Sequence, residues 1–200
     1  MNNSSGQEIK FHFNVPNIIT SVRIILAITI VCLLAFGSNS QILAAGILLI
    51  IAACTDWLDG FLARRLKQTS LFGSLYDIIA DEILFMPTLI LAIIAGLFSR
   101  AGNYMPLNPY LYAVPALAGG VTVVAGVVIY IIKRRKQVFE FPTPTTIAKL
   151  NFWFWLAPLF LAILKVGPDL LLAILMYLAI ISTILTFYSY LKKGSYVFTK

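Results

Sequence analysis

Residues 56–81 read D-W-L-D-G-F-L-A-R-R-L-K-Q-T-S-L-F-G-S-L-Y-D-I-I-A-D and sit between long apolar runs. The chain holds only eight acidic residues in 200, yet Asp56, Asp59, Asp77, Asp81 and Glu82 fall in or directly beside this window. Helical spacing puts Asp56 and Asp59 (i, i+3) on one face and Asp77 and Asp81 (i, i+4) on another. Carboxylates carried on two apolar helices repel one another and resist burial, so a cation is expected between them. A divalent metal meets that demand most economically. Oxygen ligands suit Mg²⁺ or Mn²⁺, and one histidine and two cysteines are too few for a zinc site.

Outward from this window, the chain is 60% hydrophobic and 12% charged, with a mean hydropathy of +0.92. Soluble domains carry about 25% charged residues, so the expected fold class is an all-α integral membrane protein. Each span needs about 20 apolar residues. The length then allows one domain, residues 1–200, with six transmembrane helices at about 17–36, 41–66, 74–98, 111–132, 147–164 and 168–191. Residues 7–14, Q-E-I-K-F-H-F-N, mix apolar and polar side chains, which predicts a short N-terminal amphipathic helix lying on the cytoplasmic leaflet. Pro16 suits a helix start, where a missing N–H is tolerated, and G-S-N-S at 37–40 marks a turn. The polar head M-N-N-S-S-G-Q-E-I-K is not followed by a short apolar core with a small-residue cleavage site, so no cleavable signal is expected.

Charge sets the expected orientation. Of 15 Lys and Arg residues, only Arg100 and Lys165 fall at ends assigned to the outside, and the other 13 flank the opposite ends. Both termini are therefore expected on the cytoplasmic side of the cell (inner) membrane. The pI near 9.5 comes from residues flanking membrane spans, which points to a lipid surface and not to nucleic acid. Cys32 and Cys54 lie inside apolar runs and are expected to stay reduced.

Written as spacing, the window is D-x2-D-G-x2-A-R-x8-G-x3-D-x3-D, carried by Asp56, Asp59, Gly60, Ala63, Arg64, Gly73, Asp77 and Asp81. It resembles the signature of the CDP-alcohol phosphotransferases, integral membrane enzymes of phospholipid synthesis. N-V-P-N-I-I-T-S-V-R, with Pro16, Asn17, Thr20 and Arg23, is similar to the start of the phosphatidylglycerophosphate synthase branch. The short connection Lys67 to Phe72 predicts that the two motif helices are antiparallel neighbours whose carboxylates converge. Asp56 lies about 12 Å along the helix axis from Arg64, at ~1.5 Å per residue, which places the cluster inside the bilayer near the cytoplasm.

The resemblance implies a transferase that moves a phosphatidyl group from CDP-diacylglycerol to a small alcohol and releases CMP. It assigns Asp56, Asp59 and Asp77 to metal, and Asp81 to the general base with a share in the second of two ions. It maps Gly60, Ala63, Arg64 and Gly73 to the CDP-lipid site and implies a homodimer. The chemistry agrees with those residue types, because phosphoryl transfer is mostly positioning and neutralisation of charge on oxygen. Two ions about 3.5–4 Å apart clamp a pyrophosphate, and an arginine forks onto phosphate oxygens better than a lysine does.

The leading acceptor is glycerol 3-phosphate, whose phosphate calls for extra cations; Lys149, Arg134 and Arg23 are the candidates. Arg23 lies two turns into the first span, where it either snorkels or pairs with the carboxylate cluster or a lipid phosphate. Two departures bear on that choice. The similar synthases commonly carry an Arg-Glu pair in the fourth helix, whereas 111–132 holds no charge here, and their D-P-x-A-D-K reads D-I-I-A-D-E, with Ile78 and Glu82. A cardiolipin-type or other headgroup specificity therefore stays open. The rival from another class is a cation-coupled transporter, which should show paired broken helices in matching halves; this sequence lacks them.

Overall fold

Long runs of Leu, Ile and Ala, interrupted by Gly, Pro, Ser and Asn, divide the chain into helices. A computed structural model describes residues 15–65, 71–121, 123 and 146–198, and every regular element among them is helical. Helix α1 covers Val15–Phe36, α2 Asn39–Arg65 and α3 Leu71–Ile94. Two 3₁₀ segments, Ser99–Tyr104 and Pro109–Ala113, lead into α4 at 114–121. Helices α5 (Thr146–Leu164) and α6 (Asp169–Phe198) follow. The interfacial helix expected at 7–14, residues 122 and 124–132 of the fourth span and the basic run 133–136 lie outside the described residues.

Local chemistry explains the helix ends. The Gln41 Oε1 accepts a 2.7 Å hydrogen bond from the Ser38 N–H, the returning half of a capping box that starts α2. Helix α3 stops at Ile94, short of the Phe98 expected from hydropathy. There Gly96 takes φ +71°, and its N–H and that of Leu97 bond the carbonyls of Ile93 and Ala92, each at 3.0 Å. This Schellman closure needs a residue at ease in the left-handed region, which glycine supplies. Asn108 accepts from the Tyr110 N–H at 3.1 Å, so the chain expected to be helical from residue 111 forms a 3₁₀ turn first.

Helix α1 packs against both α2 and α3, α5 packs along α6, and α2 meets α5 to join the two groups. Among the described residues α2 and α3 touch each other far less than either touches α1. Helix α1 thus packs on both motif helices. Ala27, Ile30, Ala45, Leu49, Ala52, Leu84, Leu89, Leu159, Ile163 and Met176 are buried at these contacts. Their many small side chains let backbones approach closely. Gly46 is one such point, since a Cβ there would collide with Leu164 of α5.

Outward-facing Ile18, Ile25, Ile28, Ile181, Ile184 and Phe187 are exposed, as a hydrocarbon environment allows. Among the described residues, three helices are long and apolar enough to cross a membrane: Asn17–Phe36, Asn39–Asp56 and Asp169–Ser189, with mean hydropathies of 2.6, 1.5 and 2.5. At ~1.5 Å per residue the 27 residues of α2 exceed a hydrocarbon core about 30 Å thick. Its apolar window ends at Asp56. Polar contacts fix α5 on α6 within this apolar setting: Asn151 Oδ1 lies 2.5 Å from Ser182 Oγ and 2.9 Å from Thr183 Oγ1. The Trp155 Nε1–H donates to Thr183 Oγ1 at 2.8 Å. At the other end of α6, Arg100 donates to the Gly167 carbonyl at 2.6 Å and to Asp169 at 2.8 Å.

Gly46→Val should push α2 away from Leu164 and cost about 1–3 kcal/mol, as overpacking typically does. The thermal midpoint of the detergent-solubilised protein reads this loss, and an unchanged midpoint would contradict the α2–α5 contact.

Candidate functional site

The site begins on α1. Asn17, Thr20 and Arg23 follow one another at i, i+3 and i+6, and all are buried in an otherwise apolar helix. Spacing near the helical repeat puts them on one face, the face that α1 turns toward its neighbours. Ser21 Oγ lies 2.9 Å from Tyr76 Oη and donates to the Asn17 carbonyl at 2.9 Å. That contact ties α1 to α3 one residue before Asp77.

Arg23 is fully buried, and a single nitrogen of its guanidinium gathers the motif carboxylates. Nη1 lies 2.7 Å from Asp77 Oδ1, 2.8 Å from Asp81 Oδ1 and 3.0 Å from Asp56 Oδ1. Asp77 and Asp81 come from successive turns of α3, and Asp56 comes from the end of the apolar window of α2. Ligand oxygens of the three acids all lie within 4.8 Å of one another. Their side chains are 39%, 26% and 20% exposed for Asp77, Asp81 and Asp56, against 0% for Arg23. The cluster is therefore sealed on the α1 side and open on the other.

Magnitudes show what this arrangement demands. Two ionised carboxylates 4.8 Å apart repel by roughly 3–4 kcal/mol at an effective dielectric of ~20. Three such repulsions cannot persist in a packed site without a cation at the centre. Among the described residues Arg23 sets one positive charge against these three carboxylates. Hard oxygen donors at this spacing fit a divalent cation.

The predicted site residues fare differently. Asp56, Asp77 and Asp81 come together, with Arg23 at their centre. Gly73 sits one turn before Asp77 on α3 and is partly buried. Asp59, Gly60, Ala63 and Arg64 lie on the last turns of α2, and Lys149 lies on the first turn of α5; their side chains are outside the described residues, as is all of Arg134. The Phe85 and Phe152 rings meet edge to face with centroids 5.6 Å apart. This contact brings the first turns of α5 beside the turn of α3 that follows Asp81. Glu82, although adjacent to Asp81, stands against Gly120 of α4: a Cβ on Gly120 would lie 2.8 Å from its Oε2.

Sequence reasoning did not foresee the contact between Ser21 and Tyr76; for Arg23 it offered pairing with the carboxylate cluster or with a lipid phosphate, and the structure shows the pairing with the carboxylates. The available signal was the helical spacing of Asn17, Thr20 and Arg23 within an apolar span, because polar residues so arranged need a polar partner face.

Comparison with known proteins agrees with this geometry. The family model for CDP-alcohol phosphatidyltransferase matches residues 13–185. Among curated proteins, the CDP-diacylglycerol–glycerol-3-phosphate 3-phosphatidyltransferase of Pseudomonas fluorescens is 40% identical over 80 residues, 40% of this chain and 41% of that protein. The protein of the same name from Wigglesworthia glossinidia brevipalpis is 46% identical over 82 residues, covering 40% of this chain and 44% of its own. That of Escherichia coli K12 is 38% identical over 79 residues, 40% and 43% of the two chains. The matched stretch thus spans less than half the length of these relatives. With the family match running through all three helices that build the carboxylate cluster, the chain belongs to the CDP-alcohol phosphatidyltransferase family.

Proposed function

We propose that this protein transfers a phosphatidyl group from CDP-diacylglycerol to an alcohol, with glycerol 3-phosphate as the leading acceptor. The observation that carries the reading is the convergence of Asp56, Asp77 and Asp81 within 4.8 Å of one another in a member of this family. The names of the relatives support the acceptor. In this reading the chain is a single domain with six spans and an interfacial N-terminal helix. Both termini and the open side of the cluster face the cytoplasm from the cell membrane, and two copies pair as a homodimer.

Asp56, Asp59, Asp77 and Asp81 would hold two Mg²⁺ or Mn²⁺ ions, which when bound neutralise charge on the pyrophosphate and on the departing CMP. The remaining work falls to the chain. Gly60, Ala63, Arg64 and Gly73 receive the CDP moiety, with the Arg64 fork on its phosphate oxygens. Lys149, Arg134 and Arg23 supply positive charge for the acceptor phosphate. Asp81 takes the proton of the acceptor hydroxyl as its oxygen bonds the phosphorus that carries diacylglycerol, and the bond from that phosphorus to CMP breaks. The apolar faces of α1, α2 and α3 keep bulk water away from the reacting phosphate.

An acceptor screen tests this directly. Purified protein is given labelled CDP-diacylglycerol, Mn²⁺ or Mg²⁺, and glycerol 3-phosphate, phosphatidylglycerol, inositol or serine. Glycerol 3-phosphate should release CMP fastest, and silence with every alcohol would refute the transferase reading. Asp81→Asn should bind metal and CDP-lipid yet turn over about 10²–10⁴-fold more slowly, the usual contribution of a general base; wild-type turnover would remove Asp81 from that role. Asp56→Ala should abolish metal-dependent binding of CDP-lipid, and an unchanged affinity would contradict the clamp. Lys149→Ala should raise KM for a phosphorylated acceptor more than KM for CDP-diacylglycerol; equal effects on both would place the lysine elsewhere.

A further inference from the structure

Arg23 has a position that an ordinary ion pair does not require. An Nη1 atom carries two hydrogens, yet three carboxylate oxygens from two helices surround it at 2.7, 2.8 and 3.0 Å. Its two hydrogens go to Asp77 and Asp81, so the Asp56 oxygen is held by charge alone, as around a shared positive centre. The atom stands where a cation bound by those same oxygens would stand.

We propose that Arg23 is an internal stand-in for the divalent cation, holding Asp56, Asp77 and Asp81 together in its absence and yielding the centre when the cation enters. This rests on the metal-binding reading of the cluster and adds an exchange step to it. Distance makes the two occupants exclusive. A divalent cation draws each oxygen to about 2.0–2.1 Å, which leaves no room for a nitrogen that now sits less than 3 Å from two of those oxygens. Charge gives the exchange its direction, because one guanidinium offsets only part of three carboxylates while a divalent ion offsets more. Access fits as well: Arg23 reaches the cluster from its sealed side on α1, and the partly exposed carboxylates leave the opposite side open to an incoming ion.

A purely structural arginine and an exchangeable one differ in sign. If Arg23 only braces the helices, its removal loosens the carboxylates and weakens metal binding. If it competes for the centre, its removal strengthens metal binding while destabilising the metal-free protein. The experiment compares full-length wild type, Arg23→Gln and Arg23→Lys in detergent, measuring Mn²⁺ affinity by titration of the free-ion electron paramagnetic resonance signal. Thermal midpoints are taken in EDTA and in saturating Mn²⁺.

Arg23→Gln should bind Mn²⁺ about tenfold more tightly than wild type, within the range typical of coupled binding events. Its midpoint should fall in EDTA and rise with Mn²⁺ by more than the wild-type shift. Arg23→Lys, which keeps the charge without the reach or the fork, should lie between the two, and it carries the comparison if the glutamine variant does not fold. Affinity unchanged or weaker in the variants overturns the exchange while leaving the metal site standing. Absence of Mn²⁺ binding in every protein, wild type included, removes the metal site and the exchange together.

Discussion

Mutual repulsion of three aspartates inside an apolar helical protein is the constraint around which the described structure is arranged. Asp56, Asp77 and Asp81 come from separate turns of two helices and still lie within 4.8 Å of one another. Nothing in the hydrophobic packing of the helices favours that meeting. It is held by a buried guanidinium delivered from a third helix, and breaking a buried charge pair by removing one partner costs about 3–5 kcal/mol. Helix α1 is therefore more than a membrane anchor, because it packs on both α2 and α3 and carries the charge that lets their acidic faces converge.

The remainder of the fold positions this cluster. Small residues such as Ala27, Ala45 and Ala52 let α1 and α2 lie close, while Gly46 does the same for α2 against α5. The Ser21–Tyr76 contact fixes the register of α1 on α3 beside Asp77, and the Phe85–Phe152 contact sets α5 beside the next turn. The apolar window of α2 ends at Asp56, so the acids begin where the helix leaves its most hydrophobic part. A water-soluble nucleotide headgroup and a lipid tail can meet at such a boundary.

Much of this was legible in the sequence, for physical reasons that differ by element. Hydropathy located α1, α2, α5 and α6 because a bilayer requires long apolar runs, and the aspartate spacing located the cluster because helical periodicity fixes which residues share a face. The end of α3 was not legible in this way. Residues 95–98 are apolar enough to continue the helix, but Gly96 closes it through backbone geometry that hydropathy does not register. Arg23 was read both as a candidate for the acceptor and as a partner for the carboxylate cluster, because a charge two turns into an apolar span needs a polar partner. Which of the two it takes depends on how α1 packs on the motif helices, which is a tertiary fact.

The central claim is that Asp56, Asp77 and Asp81 share a divalent cation. Anomalous diffraction at the manganese edge, from crystals grown with Mn²⁺ and a CDP-containing ligand, examines that claim most directly. The account predicts a manganese peak about 2.0–2.2 Å from carboxylate oxygens of all three residues, with the Arg23 guanidinium displaced from the centre. A peak elsewhere, with Arg23 Nη1 still seated among the three aspartates, would contradict it.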